Sequence, residues 1–142
     1  MNISDLYQEL IIDHSQHPRN QGELTCPTGK AEGYNPLCGD KVTVFLTAEN
    51  DIITKATFTG TGCALSTASA SLMTEALIGK PVTTVLTLAE NFKTAMTIDA
   101  ESKESLGKLE ALLGAKHFPA RVKCVTLAWH TLTKALKASD TP

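Results

Sequence analysis

The spacing of apolar residues changes period several times along the chain, and each change marks an element. Ser4 reads as a helix N-cap, with Leu6, Tyr7, Leu10, Ile11 and His14 following at helical spacing until Pro18-Arg19-Asn20-Gln21-Gly22 ends the run. Residues 23–37 are rich in Gly, Pro and Thr and read as loop, with a short edge strand around Lys30–Gly33. The period then drops to two. Val42, Val44 and Leu46 alternate with Thr43, Phe45 and Thr47, and a second alternating run from Ile53 to Thr59 follows the turn residues Glu49-Asn50-Asp51. Helical spacing returns from about Ala64 to Ile78, with Leu65, Ala68, Leu72 and Ala76 on one stripe and Gly79-Lys80-Pro81 as the stop. A further helix is predicted over Val82–Phe92, a polar loop over 93–103, and a short amphipathic helix over Lys103–Leu113 closed by Gly114. The last helix starts near Pro119, a residue favoured in a first turn, and its stripe is Val125, Ala128, Trp129, Leu132 and Leu136. The pattern predicts an α+β fold, a small antiparallel β-sheet packed against several helices, in one domain spanning 1–142.

Composition narrows the function more than the fold. At 142 residues and 42% hydrophobic content the chain buries a real core without needing a disulfide or a metal to hold it. A net charge of −2 argues against nucleic-acid binding, which usually brings a basic excess. No apolar run reaches the length of a membrane span, and Met1-Asn2-Ile3-Ser4-Asp5 lacks a signal-peptide pattern, so a cytoplasmic location is expected. In that compartment thiols stay reduced, and cysteines read as metal or catalytic groups before they read as disulfides.

Three of the four cysteines stand in settings that a core does not require. Cys38 lies in Asn35-Pro36-Leu37-Cys38-Gly39-Asp40, Cys63 in Gly60-Thr61-Gly62-Cys63, and Cys124 in Pro119-Ala120-Arg121-Val122-Lys123-Cys124. A hairpin turning at Asn50–Asp51 places Asp40 opposite Gly60 and brings Cys38 close to Cys63 at its open end. Cys124 alone reads equally well as packing or as a ligand. Together, Cys38, Asp40, Cys63 and Cys124 make a four-ligand set suited to zinc, and the carboxylate points to a site that acts rather than one that only staples. Cys26, in a Thr-Cys-Pro loop, reads as inert. His14 and His17 read as carbonyl caps at a helix end, His130 as a surface residue, and His117 stays outside the predicted site. Ser66, Ser69 and Ser71 read as small residues that let helices approach closely, and neither a G-x-S-x-G elbow nor a phosphate loop is present.

These motifs occur in a known order. Asp13-His14 with Pro18-Arg19-Asn20 and Gly22, the two segments holding Cys38 and Cys63, and Phe118-Pro119-Ala120-Arg121-Val122-Lys123-Cys124 with Leu127 and Trp129 resemble the SufU-type branch of the IscU/NifU-N-terminal family of iron–sulfur cluster assembly proteins. Ser15 departs from the pattern, standing where an aromatic is more usual. Lys123 stands where the scaffold branch carries a histidine, and the stretch between Cys63 and Cys124 is longer, with the extra residues around Thr94–Leu106.

The resemblance implies a SufE/NifU-like sheet with the ligands at one end. It also implies a zinc-dependent sulfurtransferase that accepts persulfide sulfur from a SufS-type cysteine desulfurase and delivers it to downstream iron–sulfur scaffold proteins. Cys38 is the expected mobile ligand and sulfur acceptor because its loop is flanked by glycine. Arg121 belongs to the same working site by resemblance, where its charge would stabilise thiolate and persulfide anions. The alternative is an IscU-type scaffold on which the same four ligands hold an iron–sulfur cluster. A plain zinc-stabilised adaptor is a third reading, and the aspartate ligand argues against it. Neither nucleic acid nor membrane is an expected partner.

Overall fold

A computed structural model describes residues 3–36, 39–97 and 106–139. Cys38 and most of the Thr94–Leu106 stretch therefore lie outside the described residues. In chain order the elements are α1 (Ile3–Gln16), β1 (Gly29–Asn35), β2 (Asp40–Glu49), β3 (Ile52–Thr61), α2 (Ala64–Leu77), α3 (Val82–Ala95), a 3-10 helix (Gly107–His117) and α4 (Pro119–Ser139). The sheet is antiparallel in the order β1-β2-β3, and α2 and α4 pack against it.

The β2–β3 hairpin sets the geometry of everything that follows. Asn50 and Asp51 both take positive φ, 54° and 64°, the combination that lets a two-residue turn match the twist of its strands. The turn closes on Glu49–Ile52 and Ala48–Ile53, and the next pair is Thr47–Lys55. Thr54 is thus an extra residue on β3, a bulge. It lets Ile53, Ala56 and Phe58 all face the core, which strict alternation forbids for an odd spacing. The turn and bulge together correct the register expected from sequence. Gly60 pairs with Val42, and Asp40 lies one step beyond the Lys41–Thr61 pair, level with Gly62 rather than Gly60.

Helix α2 is buried on nearly every side, from Ser66 through Thr74 to Leu77, because α1, α4, the 3-10 helix and β3 all pack on it. Its small residues permit that crowding, as expected, and they also supply hydrogen bonds. Ser69 Oγ donates to the Val125 carbonyl (2.6 Å) and accepts from the Trp129 indole N–H (3.1 Å), which ties α2 to α4. Trp129 is fully buried beside Phe92, with ring centroids 4.4 Å apart. Helix α3 runs three residues beyond the expected stop because Phe92 and Ala95 continue its buried stripe. The element before α4 is a 3-10 helix rather than an amphipathic α-helix, and it passes through Gly114. Leu106, Leu109, Leu112 and Ala115 are buried at intervals of three, and only a helix of three residues per turn keeps them on one line.

At the α1–α2 contact His14 is buried, so it does not cap a carbonyl as expected from sequence. Ser71 Oγ accepts the Arg19 backbone N–H (2.8 Å) and lies 2.7 Å from His14 Nδ1. The other ring nitrogen, Nε2, faces the carboxyl oxygen Glu75 Oε1, an acceptor, at 3.5 Å. The ring proton therefore sits on Nε2, Nδ1 is the ring's acceptor, and the Ser71 hydroxyl donates to it. Burial holds His14 below its ordinary value of 6.5, so the ring is neutral at pH 7.

Candidate metal centre

Three elements end at the same place. Asp40 opens β2, Cys63 is the N-cap of α2, and Cys124 lies in the second turn of α4. One ligand atom from each lies within 4.8 Å of the other two, a spacing that a single metal ion spans. The hairpin delivers Asp40 beside Cys63, and α4 delivers Cys124 by packing along β1 and β2. Cys63 Sγ accepts the Ser66 backbone N–H at 3.5 Å, which seats the thiol over the first turn of α2.

The carboxyl group of Asp40 is divided in its bonding. Oδ1 accepts the Cys63 backbone N–H at 3.1 Å. Oδ2 is buried and has no hydrogen-bond partner among the described residues, although Asp40 is only 1% exposed. A buried acceptor without a donor costs about 1–3 kcal/mol, and native proteins rarely tolerate one unless something else occupies its lone pairs. A carboxyl oxygen of Asp40 and the two thiols lie close enough to share one metal ion, and Oδ2 is the oxygen left open for it. The donor set, one hard oxygen and two soft sulfurs, fits zinc and fits poorly with calcium or magnesium.

The segments that carry the ligands are basic. Lys41, Arg121 and Lys123 are exposed on the segments that carry the ligands. Among the described residues of 39–41, 60–65 and 118–124, Asp40 is the only acidic side chain, although the whole chain carries −2. Arg121 lies one helical turn before Cys124 and borders a groove of about 570 Å³ walled by Tyr7, Ile11, Leu65, Leu112 and Phe118. Sequence reasoning missed this groove because its walls come from α1, α2 and the 3-10 helix. The signal available in the sequence was Phe118, a large apolar residue that is 63% exposed. Lys123 points to a smaller cleft on the other side of α4, with Tyr34 and His130. His130 is exposed, as expected, and His117 lies outside the ligand cluster. Cys26 is exposed and also lies outside it.

The fold and the cluster define an α+β protein in which Asp40, Cys63 and Cys124, at the open end of the sheet, could hold a metal ion. The NifU-like N terminal domain family matches residues 6–139, and the chain belongs to that family. It is 40% identical over 140 residues to the zinc-dependent sulfurtransferase SufU of Bacillus subtilis (strain 168), covering 98% of this chain and 95% of that protein. It is 38% identical over 138 residues to the iron–sulfur cluster assembly scaffold protein IscU of Streptococcus pyogenes serotype M1, covering 96% and 86%. Among solved structures, FiSufU from Fervidobacterium islandicum AW-1 superposes with a TM-score of 0.86 at 34% identity, covering 95% of this chain and 99% of that one. Among the described residues no helix is long and apolar enough to cross a membrane.

Proposed function

We propose that the chain is a zinc-dependent sulfur acceptor in iron–sulfur cluster assembly. It takes persulfide sulfur from a cysteine desulfurase of SufS type and passes it to a downstream scaffold protein. The observation that carries this reading is the Asp40 carboxyl group within ligand distance of two thiols, with a buried Oδ2 that has no hydrogen-bond partner among the described residues. Zinc would be held by Cys38, Asp40, Cys63 and Cys124, and it would keep its cysteine ligands as thiolates without leaving them freely reactive. Cys63 and Cys124 are anchored by α2 and α4, which leaves Cys38 as the group that reacts. Its thiolate attacks the terminal sulfur of the partner's persulfide. The bond between that sulfur and the partner's cysteine sulfur breaks, the partner's thiolate leaves, and Cys38 carries the persulfide, with no external oxidant required. Arg121, on the rim, stabilises the anionic sulfur before and after transfer.

Lys123 favours transfer over scaffolding. An ammonium has no lone pair for iron, whereas the histidine of the scaffold branch does. The test is metal analysis combined with desulfurase turnover and mass spectrometry. The purified protein is expected to carry about one zinc per chain, to raise desulfurase turnover, and to gain sulfur on Cys38. Failure to bind zinc, or an adduct confined to Cys26, Cys63 or Cys124, would refute the assignment. A long-lived, stoichiometric iron–sulfur chromophore that passes to an apo-acceptor would establish the scaffold reading instead.

A further inference from the structure

The segment Gly60-Thr61-Gly62 leads β3 into Cys63, and its two glycines meet different constraints. Gly60 has φ of 149°, and a Cβ there would lie 2.0 Å from the Lys41 carbonyl oxygen, so strand pairing itself excludes a side chain. Gly62 does not take positive φ, so its backbone suits any residue. Space is what excludes a side chain there. A Cβ on Gly62 would lie 2.9 Å from Asp40 Oδ1, 2.9 Å from Ser66 Oγ and 3.1 Å from Ser66 Cβ. Carbon and oxygen that are not bonded do not approach so closely, and one group must move. Ser66 is buried in the first turn of α2 with its backbone bonded to Cys63 Sγ. Asp40 Oδ1 is held by one N–H, which makes the carboxyl group the neighbour that yields.

We propose that Gly62 is a positioning residue for the metal centre: its bare α-carbon leaves room for Asp40 Oδ1 on the Cys63 N–H, so that Oδ2 alone faces the metal. The proposal rests on Asp40 being a ligand. One carboxyl oxygen, rather than two, keeps the coordination number at the four that zinc prefers in such sites. A methyl group at position 62 would push Oδ1 off its donor and swing Oδ2 away, leaving only cysteine donors.

Cobalt(II) in place of zinc reads the donor set directly, through its d–d bands and its thiolate-to-metal charge transfer. The full chain is compared with Gly62→Ala, Asp40→Ala and the double variant. Gly62→Ala is expected to reproduce the Asp40→Ala spectrum and to weaken cobalt binding by about 10–100-fold, the usual loss when a group that orients a ligand is removed. The double variant is expected to bind no more weakly than Asp40→Ala, because the two changes remove the same interaction. A wild-type spectrum and affinity in Gly62→Ala, or losses that multiply in the double variant, would overturn the proposal. If metal-free Gly62→Ala melts early, recovery in the Asp40→Ala background supports the clash with the carboxyl group. Continued early melting there assigns the clash to Ser66 and rejects the proposal. A cobalt spectrum unchanged by Asp40→Ala would instead remove Asp40 from the ligand set, and the proposed zinc site with it.

Discussion

Two buried polar clusters in this molecule follow opposite rules. At the α1–α2 contact His14, Ser71, the Arg19 backbone and Glu75 form a chain in which the Ser71 hydroxyl both accepts and donates. At the open end of the hairpin, Asp40 is as deeply buried as His14, yet one of its oxygens has no protein partner among the described residues. Both clusters join elements far apart in sequence, so burial alone does not distinguish them. Satisfaction does. A polar group kept for stability has its partners supplied by the fold, whereas one kept for a ligand carries an open valence that the fold maintains at a cost.

The largest effect is expected where the open cluster is broken outright. Cys63→Ser or Cys124→Ser should drop zinc well below one per chain and abolish the rise in melting temperature that zinc gives the wild type, since ligand binding to the native state adds to stability. Full occupancy in both variants would remove the metal centre altogether. The comparison sharpens when each cluster loses its central residue. His14→Ala should destabilise the protein by about 1–3 kcal/mol with or without zinc, because it strips a partner from a satisfied network. Asp40→Ala should change metal-free stability by less than about 1 kcal/mol, since an unsatisfied oxygen leaves together with one hydrogen bond. With zinc added the order should invert, the Asp40 variant losing most of the metal-dependent gain. Denaturant melts with and without a chelator would detect the crossover, and its absence would mean that the two clusters are of one kind.

A smaller effect follows from pH. The folded state holds His14 below 6.5, so the unfolded chain binds more protons as the pH falls past that value. The stability that depends on neutral His14 is therefore complete above about pH 6.5 and declines as the solution is acidified further. The Asp13 carboxyl, lowered by its 2.6 Å bond to Arg19, contributes in the same direction only below its ordinary 3.8. Metal-free protein should show the first decline, and His14→Phe should flatten it. An unchanged acid limb in that variant would clear His14 of the role.

Legibility from sequence followed the physics of each signal. The stripe of α4 was readable because Val125, Ala128, Trp129, Leu132 and Leu136 are large or regularly spaced, and all are buried. Proximity of Asp40 and Cys63 was readable because antiparallel pairing follows from alternation and a turn. The register was not, since a bulge such as Thr54 adds a residue without altering composition. The burial of α2 on all sides was hidden because Ser and Ala carry little hydrophobic signal. The 3-10 helix was hidden because intervals of three among leucines look like a short amphipathic helix. His14 was misassigned because its partners, Ser71 and Glu75, lie more than fifty residues away. In the site, residue types revealed which groups have the right chemistry, but the division of labour between the two oxygens of Asp40 needed coordinates.

The bulge at Thr54 keeps its effect within its own neighbourhood. It sits near the turn, roughly 25 Å along the strand from Gly62 at 3.3 Å per residue. A paired strand transmits phase without attenuation: every residue after an insertion into it keeps the new parity to the end. Deleting Thr54, by contrast, would remove the bulge and leave Ile53 and Ala56 two residues apart, so every residue from Lys55 to Thr61 would keep its partner on β2 and its face of the sheet. The chain would still enter α2 in step with Asp40, because the Lys41–Thr61 pair is untouched. The bulge is thus slack in the hairpin: a residue lost at Thr54 should be tolerated, whereas one lost at Thr57 would carry Phe58 from its place opposite Val44 and disturb the strand before it reaches Cys63.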